Sequence, residues 1–205
     1  MSVAIVGDSY VYRLGNYLRA AHVDALDIHE CFHTARYFGL RGGSVFGRDH
    51  VQPLIDRALA VPDLRVLYMH VGSNDLCSFS VDPLRLARGI VSLARYALCA
   101  REDLVVIVGQ ILTRSHHSDA FSARRVHVTN SELIRLVHCE NSQRLSAAML
   151  DGLCQPSPLI FCDDGVHLSH LGQRKFYRGI RGAVLRALRY AADPSYPSPT
   201  PALRP

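Results

Sequence analysis

A parallel α/β sheet covered by helices on both faces is the fold class this sequence predicts, and three features predict it. Five short apolar runs alternate with five longer amphipathic ones along the chain. Two of the short runs, Val3–Val6 and Leu104–Val108, are apolar throughout, as strands buried on both faces are. The 205 residues, 48% hydrophobic and 20% charged, suffice for one domain with a real core.

The elements follow in order. Val3–Val6 reads as the first strand and Tyr10–Ala20 as the first helix. Ala25–His29 reads as a second strand and Val51–Ala60 as a second helix. Val66–Val71 supplies a third strand, followed by a helix over Pro83–Ala100 with Asp82 as its cap and Pro83 in its first turn. Leu104–Val108, a helix over Glu132–Leu150, a strand at Leu159–Cys162 and a helix over Leu171–Ala192 complete the set. Alternation of this kind gives a parallel sheet between helical layers. Asp193–Pro205 contains five of the ten prolines and cannot continue the last helix. It reads as a disordered tail or a linker, so the folded domain is expected over residues 1–192.

The formal net charge is +5, and Lys175 is the only lysine among 23 basic residues. Arginine binds phosphate bidentately, so RNA is a partner to consider, and a basic surface also allows weak membrane association. Arg174, Lys175, Arg178, Arg181, Arg186 and Arg189 all fall on the last helix. The six cysteines form no C-x-x-C pair, which argues against a zinc ribbon or redox centre. Cys31, Cys99 and Cys162 lie in or beside apolar segments and read as small buried hydrophobes. His116, His117 and His127 have no carboxylate at ligand spacing and read as surface residues, so neither metal nor cofactor is expected. Neither a secretion signal nor a membrane span is legible, which leads to the expectation of a cytoplasmic protein.

Ligands of open α/β sheets bind at the carboxyl ends of the strands, and four such segments carry chemistry here. Gly7-Asp8-Ser9 follows the first strand, where Ser9 is either a helix cap or a nucleophile. Phe38–Gly47 holds four glycines, of which Gly42 or Gly43 can aim a backbone N–H at an oxyanion. Gly72-Ser73-Asn74-Asp75 closes the third strand, and the Asn74 amide is a further donor. Asp163-Asp164-Gly165-Val166-His167 precedes the last helix and pairs a base, His167, with a carboxylate three residues before it, Asp164. Asp163 can serve geometrically, but the three-residue spacing favours Asp164. Together these segments hold what acyl transfer from an ester requires.

The same blocks resemble the SGNH hydrolase superfamily, the GDSL esterases and lipases, over Val3 to about Leu188. Tyr10 stands where many members have leucine, "LRGGS" replaces the more usual second block, and "HLGQRKFY" is similar to the closing helix. The resemblance implies a three-layer α/β/α sandwich with a flavodoxin-like five-stranded parallel sheet. It also implies a metal-free serine esterase using Ser9, Asp164 and His167, with Ser9, Gly42 and Asn74 as the oxyanion hole. Short or medium acyl chains, acetyl groups and lipid esters all fit as substrates. The compact, arginine-rich form is similar to the esterase-like domains of some animal LINE retrotransposons. The alternative expectation is therefore an RNA-binding module on the same fold, with residual or no esterase activity. No G-x-S-x-G elbow of the α/β-hydrolases occurs.

Overall fold

The computed structural model describes residues 1–21, 34–115, 120–150, 152–153 and 157–197. Its five parallel strands are β1 (Ser2–Gly7), β2 (Thr34–Gly39), β3 (Leu64–His70), β4 (Val105–Gly109) and β5 (Leu145–Ala148). They lie side by side in the order β2-β1-β3-β4-β5. The helices are α1 (Ser9–Ala20), α2 (Gln52–Leu59), α3 (Pro83–Ala100), α4 (Ala123–Cys139) and α5 (His170–Ala192). This is the flavodoxin-like α/β/α sandwich that the sequence leads one to expect.

Alternation along β1 builds the two faces. Ala4 and Val6 point into a core closed by α2, α3 and α4, through Ile55, Ile90 and Leu133 among others. Val3 and Ile5 point the other way, to a core closed by α1 and α5 through Leu14, Phe176 and Ile180. Burial on both faces explains the unbroken apolar runs of β1 and β4. Asp82 caps α3 as expected, its side chain accepting from the Arg85 N–H, with Pro83 beginning the helix.

Several sequence expectations need correction. The second strand is Thr34–Gly39, so the glycine-rich segment starts inside β2; Ala25–His29 lies outside the described residues. The helix expected over Glu132–Leu150 is shifted: α4 runs Ala123–Cys139, starting on the Ser122 cap. Asn141, at φ 46°, then turns the chain, and Leu145–Ala148 becomes β5. Leu159–Cys162 is not a strand; it forms turns and one antiparallel bridge between Phe161 and Leu168. Its side chains Ile160 and Phe161 are nevertheless buried against the α1/α5 core. Cys99 and Cys162 are exposed thiols, as are Cys77 and Cys139, while Cys31 lies outside the described residues. His127 is exposed on α4, and His116 and His117 are also outside those residues. Of the expected tail, residues 198–205 lie outside them too. No helix among the described residues is long and apolar enough to cross a membrane.

Candidate active site

With this strand order the chain reverses direction between β1 and β3, and the crevice beyond their carboxyl ends is the natural ligand site. Gly7 pairs with both Gly39 and His70, which brings the ends of β1, β2 and β3 to one edge. The approach at Gly7 is close: a Cβ there would stand 2.2 Å from the His70 carbonyl oxygen. Only glycine lets β1 and β3 converge at this point.

Ser9 is the first residue of α1, yet it is not the cap. That role falls to Asp8, whose Oδ1 accepts from the Tyr10 N–H at 3.0 Å. The hydroxyl of Ser73 donates to Asp8 Oδ2 at 2.8 Å, so the fully buried carboxylate ties the end of β1 to the segment after β3. Burial pushes the Asp8 carboxyl up to about 6, against the hydrogen bonds from Tyr10 and Ser73 and the nearby charge of Arg114. Ser9 is left with its hydroxyl uncommitted to capping, at a helix start where free N–H groups and the dipole favour negative charge.

Two further bonds lace the loops together. Asp75 accepts from the N–H groups of Val45 and Phe46, at 3.0 and 2.9 Å. Asn74 donates through Nδ2 to the Gly43 carbonyl at 3.0 Å. An amide carries two hydrogens, so one remains for a ligand. Asn74 Oδ1 faces Arg114 Nη2 at 3.5 Å. Arg114 is itself buried, lying over the Phe121 ring and donating to Cys77 Sγ at 3.0 Å. The sequence does not single out Arg114, Ser73 or Asp75 for a role. The signal available was position, Ser73 and Asp75 just past β3 and Arg114 in the segment after β4, which does not say which side chain meets which.

The two glycine candidates differ in geometry. Gly43 is buried and commits its N–H to the Leu40 carbonyl at 3.1 Å. Gly42 is exposed, with φ +74°, at the turn position that favours glycine.

Asp164 and His167 are held in one turn. His167 Nδ1 meets Asp164 Oδ2 at 2.6 Å, and Asp164 Oδ1 accepts from the N–H groups of Val166 and His167. Burial opposes ionisation of Asp164, but the bonds from His167 and Val166 outweigh it and hold the carboxyl down at about 2. Asp163 is exposed. The turn is anchored from two sides: the Tyr10 hydroxyl donates to the Val166 carbonyl at 2.7 Å, and the Ser115 N–H to that of Gly165 at 3.0 Å. The neighbour of Ser9 thus holds the neighbour of His167. The turn does not extend a fifth strand, as the sequence reading has it, but closes a loop through Cys162 N–H to the His167 carbonyl, 2.7 Å.

No protein-family model matches this sequence, and no curated protein does. Solved structures do. A member of the lipolytic G-D-S-L family from Veillonella parvula superposes with a TM-score of 0.66 at 18% identity, over 91% of this chain and 99% of its own. A GDSL-like lipase from Bacteroides thetaiotaomicron gives 0.68 at 14% identity, covering 91% and 88%. A carbohydrate acetylesterase from Sinorhizobium meliloti gives 0.65 at 16%, covering 90% and 98%. The chain has the GDSL-hydrolase fold. This likeness spans nearly the whole length of each partner, so the fold matches as a unit rather than as a shared βαβ fragment.

Proposed function

We propose that this protein is a serine hydrolase of carboxylic esters, with Ser9 as nucleophile and His167 as base. The observation that carries the reading is the clamp between the two segments. Asp164 fixes the His167 ring through Nδ1, and the Tyr10 hydroxyl, one residue from Ser9, fixes the carbonyl one residue from His167. With Nδ1 donating to Asp164, Nε2 is the proton acceptor.

The reaction then runs as follows. Ser9 Oγ attacks the ester carbonyl while its proton passes to His167 Nε2. The Ser9 N–H, the Gly42 N–H and the free hydrogen of the Asn74 amide stabilise the oxyanion. Gly42 takes this part because Gly43 has spent its N–H on Leu40. Collapse of the intermediate breaks the ester bond, and His167 returns its proton to the departing alcohol. Water, deprotonated by His167, repeats the attack on the acyl-enzyme and frees the acid. The neighbours' names, lipases and a carbohydrate acetylesterase, support ester cleavage as the reaction class.

Hydrolysis of p-nitrophenyl esters of increasing chain length tests the reading. Ser9→Ala is expected to lower kcat on the order of 10⁴-fold or more, and Asn74→Ala about 10²- to 10³-fold, both with the fold intact by circular dichroism. Ser9-independent turnover would refute it.

A second reading, RNA binding by the same fold, is favoured by one feature. Lys175, Arg178 and Arg186 line a cleft of about 320 Å³ on α5, with Gly152, Gly179 and Gly182 among its other lining residues. Lys175 is 3.5 Å from the Gly152 carbonyl, and no acidic side chain lines the cleft among the described residues. A basic groove with exposed backbone suits a phosphate chain.

A further inference from the structure

The face of α1 that begins at Ser9 continues through Tyr12, Arg13, Asn16 and Tyr17, at the three- and four-residue spacing of one helical stripe. These side chains, with Arg41 and Gln173, line a cleft of about 390 Å³. Its nearest wall lies one turn, about 5 Å of helix rise, from Ser9. Arg41 precedes Gly42 in the turn after β2, and Gln173 follows His170 in the first turn of α5, where Tyr17 packs edge-on to the His170 ring at 5.1 Å. The cleft therefore lies between the turn that carries Gly42 and the first turn of α5, the helix that follows His167.

Its chemistry is one-sided. Neither Arg13 nor Arg41 has a carboxylate partner among the described residues, and none of the lining residues is acidic. Arg41 lies over the Tyr12 ring at 5.0 Å, which holds a cation against an aromatic wall. Gln173 is only 5% exposed, and its Oε1 has no hydrogen-bond partner. The occupant so described offers an anion to the arginines and a flat or apolar face to the tyrosines.

We propose that this cleft is the leaving-alcohol subsite and takes an aromatic or apolar alcohol bearing a phosphate group; the assignment to the alcohol half rests on the esterase reading above. The sheet order supports that half. The segments after β3 and β4 stand on one side of Ser9, where Leu76, Ile111 and Phe121 are apolar and buried and Arg114 is itself buried over the Phe121 ring. The arginine-lined cleft stands on the β2 side, where an acyl chain would meet the exposed charges of Arg13 and Arg41.

The test has a binding arm and a kinetic arm. In the binding arm, phenyl phosphate is titrated calorimetrically into the Ser9→Ala protein and into the same protein carrying Arg13→Gln and Arg41→Gln. Loss of the two charge-assisted contacts is expected to weaken binding about tenfold or more. Inorganic phosphate is expected to bind more weakly than phenyl phosphate, because it forgoes the tyrosine walls. In the kinetic arm, 4-acetoxyphenyl phosphate is compared with neutral methyl 4-acetoxybenzoate. The parent is expected to favour the anionic ester, and the double variant to lower that ratio about tenfold. Arginine-dependent phenyl phosphate binding without turnover of either ester would keep the anion site and sink the esterase reading. Turnover of both esters with no charge preference, no arginine-dependent binding, or inorganic phosphate binding as tightly as phenyl phosphate would overturn the proposal.

Discussion

Asp8 sits at zero exposure with a carboxylate that serves two segments at once, capping α1 through Tyr10 and accepting from Ser73. In the sequence, Ser9 was legible as either cap or nucleophile, because both residue types suit a helix start. The structure gives the cap to the preceding side chain, which reaches the Tyr10 N–H, and leaves the serine outside that role. Burial gives Asp8 a pH signature. Its carboxyl titrates near 3.8 when unfolded and near 6 when folded, so the folded state holds the extra proton between those values. Its contribution to stability is full below about pH 4 and is lost as the pH rises through 6. His70, pushed by burial down to about 3, acts in the opposite sense over part of that range, but it is common to parent and variant. Asp8→Asn keeps an acceptor for Tyr10 and removes the titration. The difference in Tm, variant minus parent, should therefore rise between about pH 4 and pH 6; a difference that stays flat would show that Asp8 does not titrate in this way.

At the scale of elements, the strands that failed to be legible share a cause. β2 is an edge strand with mostly half-exposed residues, so its apolar signal is weak beside that of Ala25–His29. β5 is four residues of Leu-Ser-Ala-Ala, short enough to be absorbed into a neighbouring helical pattern. Leu159–Cys162 shows the converse, an apolar run that buries only Ile160 and Phe161 and joins no ladder, beginning just after Pro158 where no N–H is available. The capped helix α3, by contrast, was readable to the residue from Asp82 and Pro83. The junction of β1 and β3 makes a prediction of its own. Gly7→Ala would place a Cβ 2.2 Å from the His70 carbonyl and 2.6 Å from Val11 Cγ2, within the core and beside Ser9. Urea unfolding should register a loss of about 3 kcal/mol. Gly182→Ala, in the interior of α5 with its nearest neighbour at 3.7 Å, should instead be neutral or stabilise by up to about 1 kcal/mol. Equal effects at the two glycines would mean that close strand approach is not what Gly7 serves.

Over the whole molecule, the sequence conveyed the fold class and the four loop segments, because strand alternation and loop chemistry are local. It did not convey the lacing among those loops, Asp8 with Ser73, Asn74 with Gly43, Asp75 with Val45, since each bond joins residues 30 or more positions apart. Charge behaves likewise. The basic residues of α5 looked like one patch, but Lys175, Arg178 and Arg186 share a cleft while Arg189 reaches the Tyr196 hydroxyl. If that cleft binds RNA, affinity should fall steeply with salt, survive Ser9→Ala, and drop when Lys175, Arg178 and Arg186 are changed to Glu. Affinity unaffected by the three changes would remove the cleft from consideration. The central claim, however, is that Ser9 is an activated nucleophile, and covalent labelling addresses it most directly. Protein incubated with a fluorophosphonate and mapped by mass spectrometry should carry one adduct, on the peptide containing Ser9, slowed in His167→Ala and absent in Ser9→Ala. An unlabelled Ser9 in the folded parent, or labelling unaffected by loss of His167, would contradict the account.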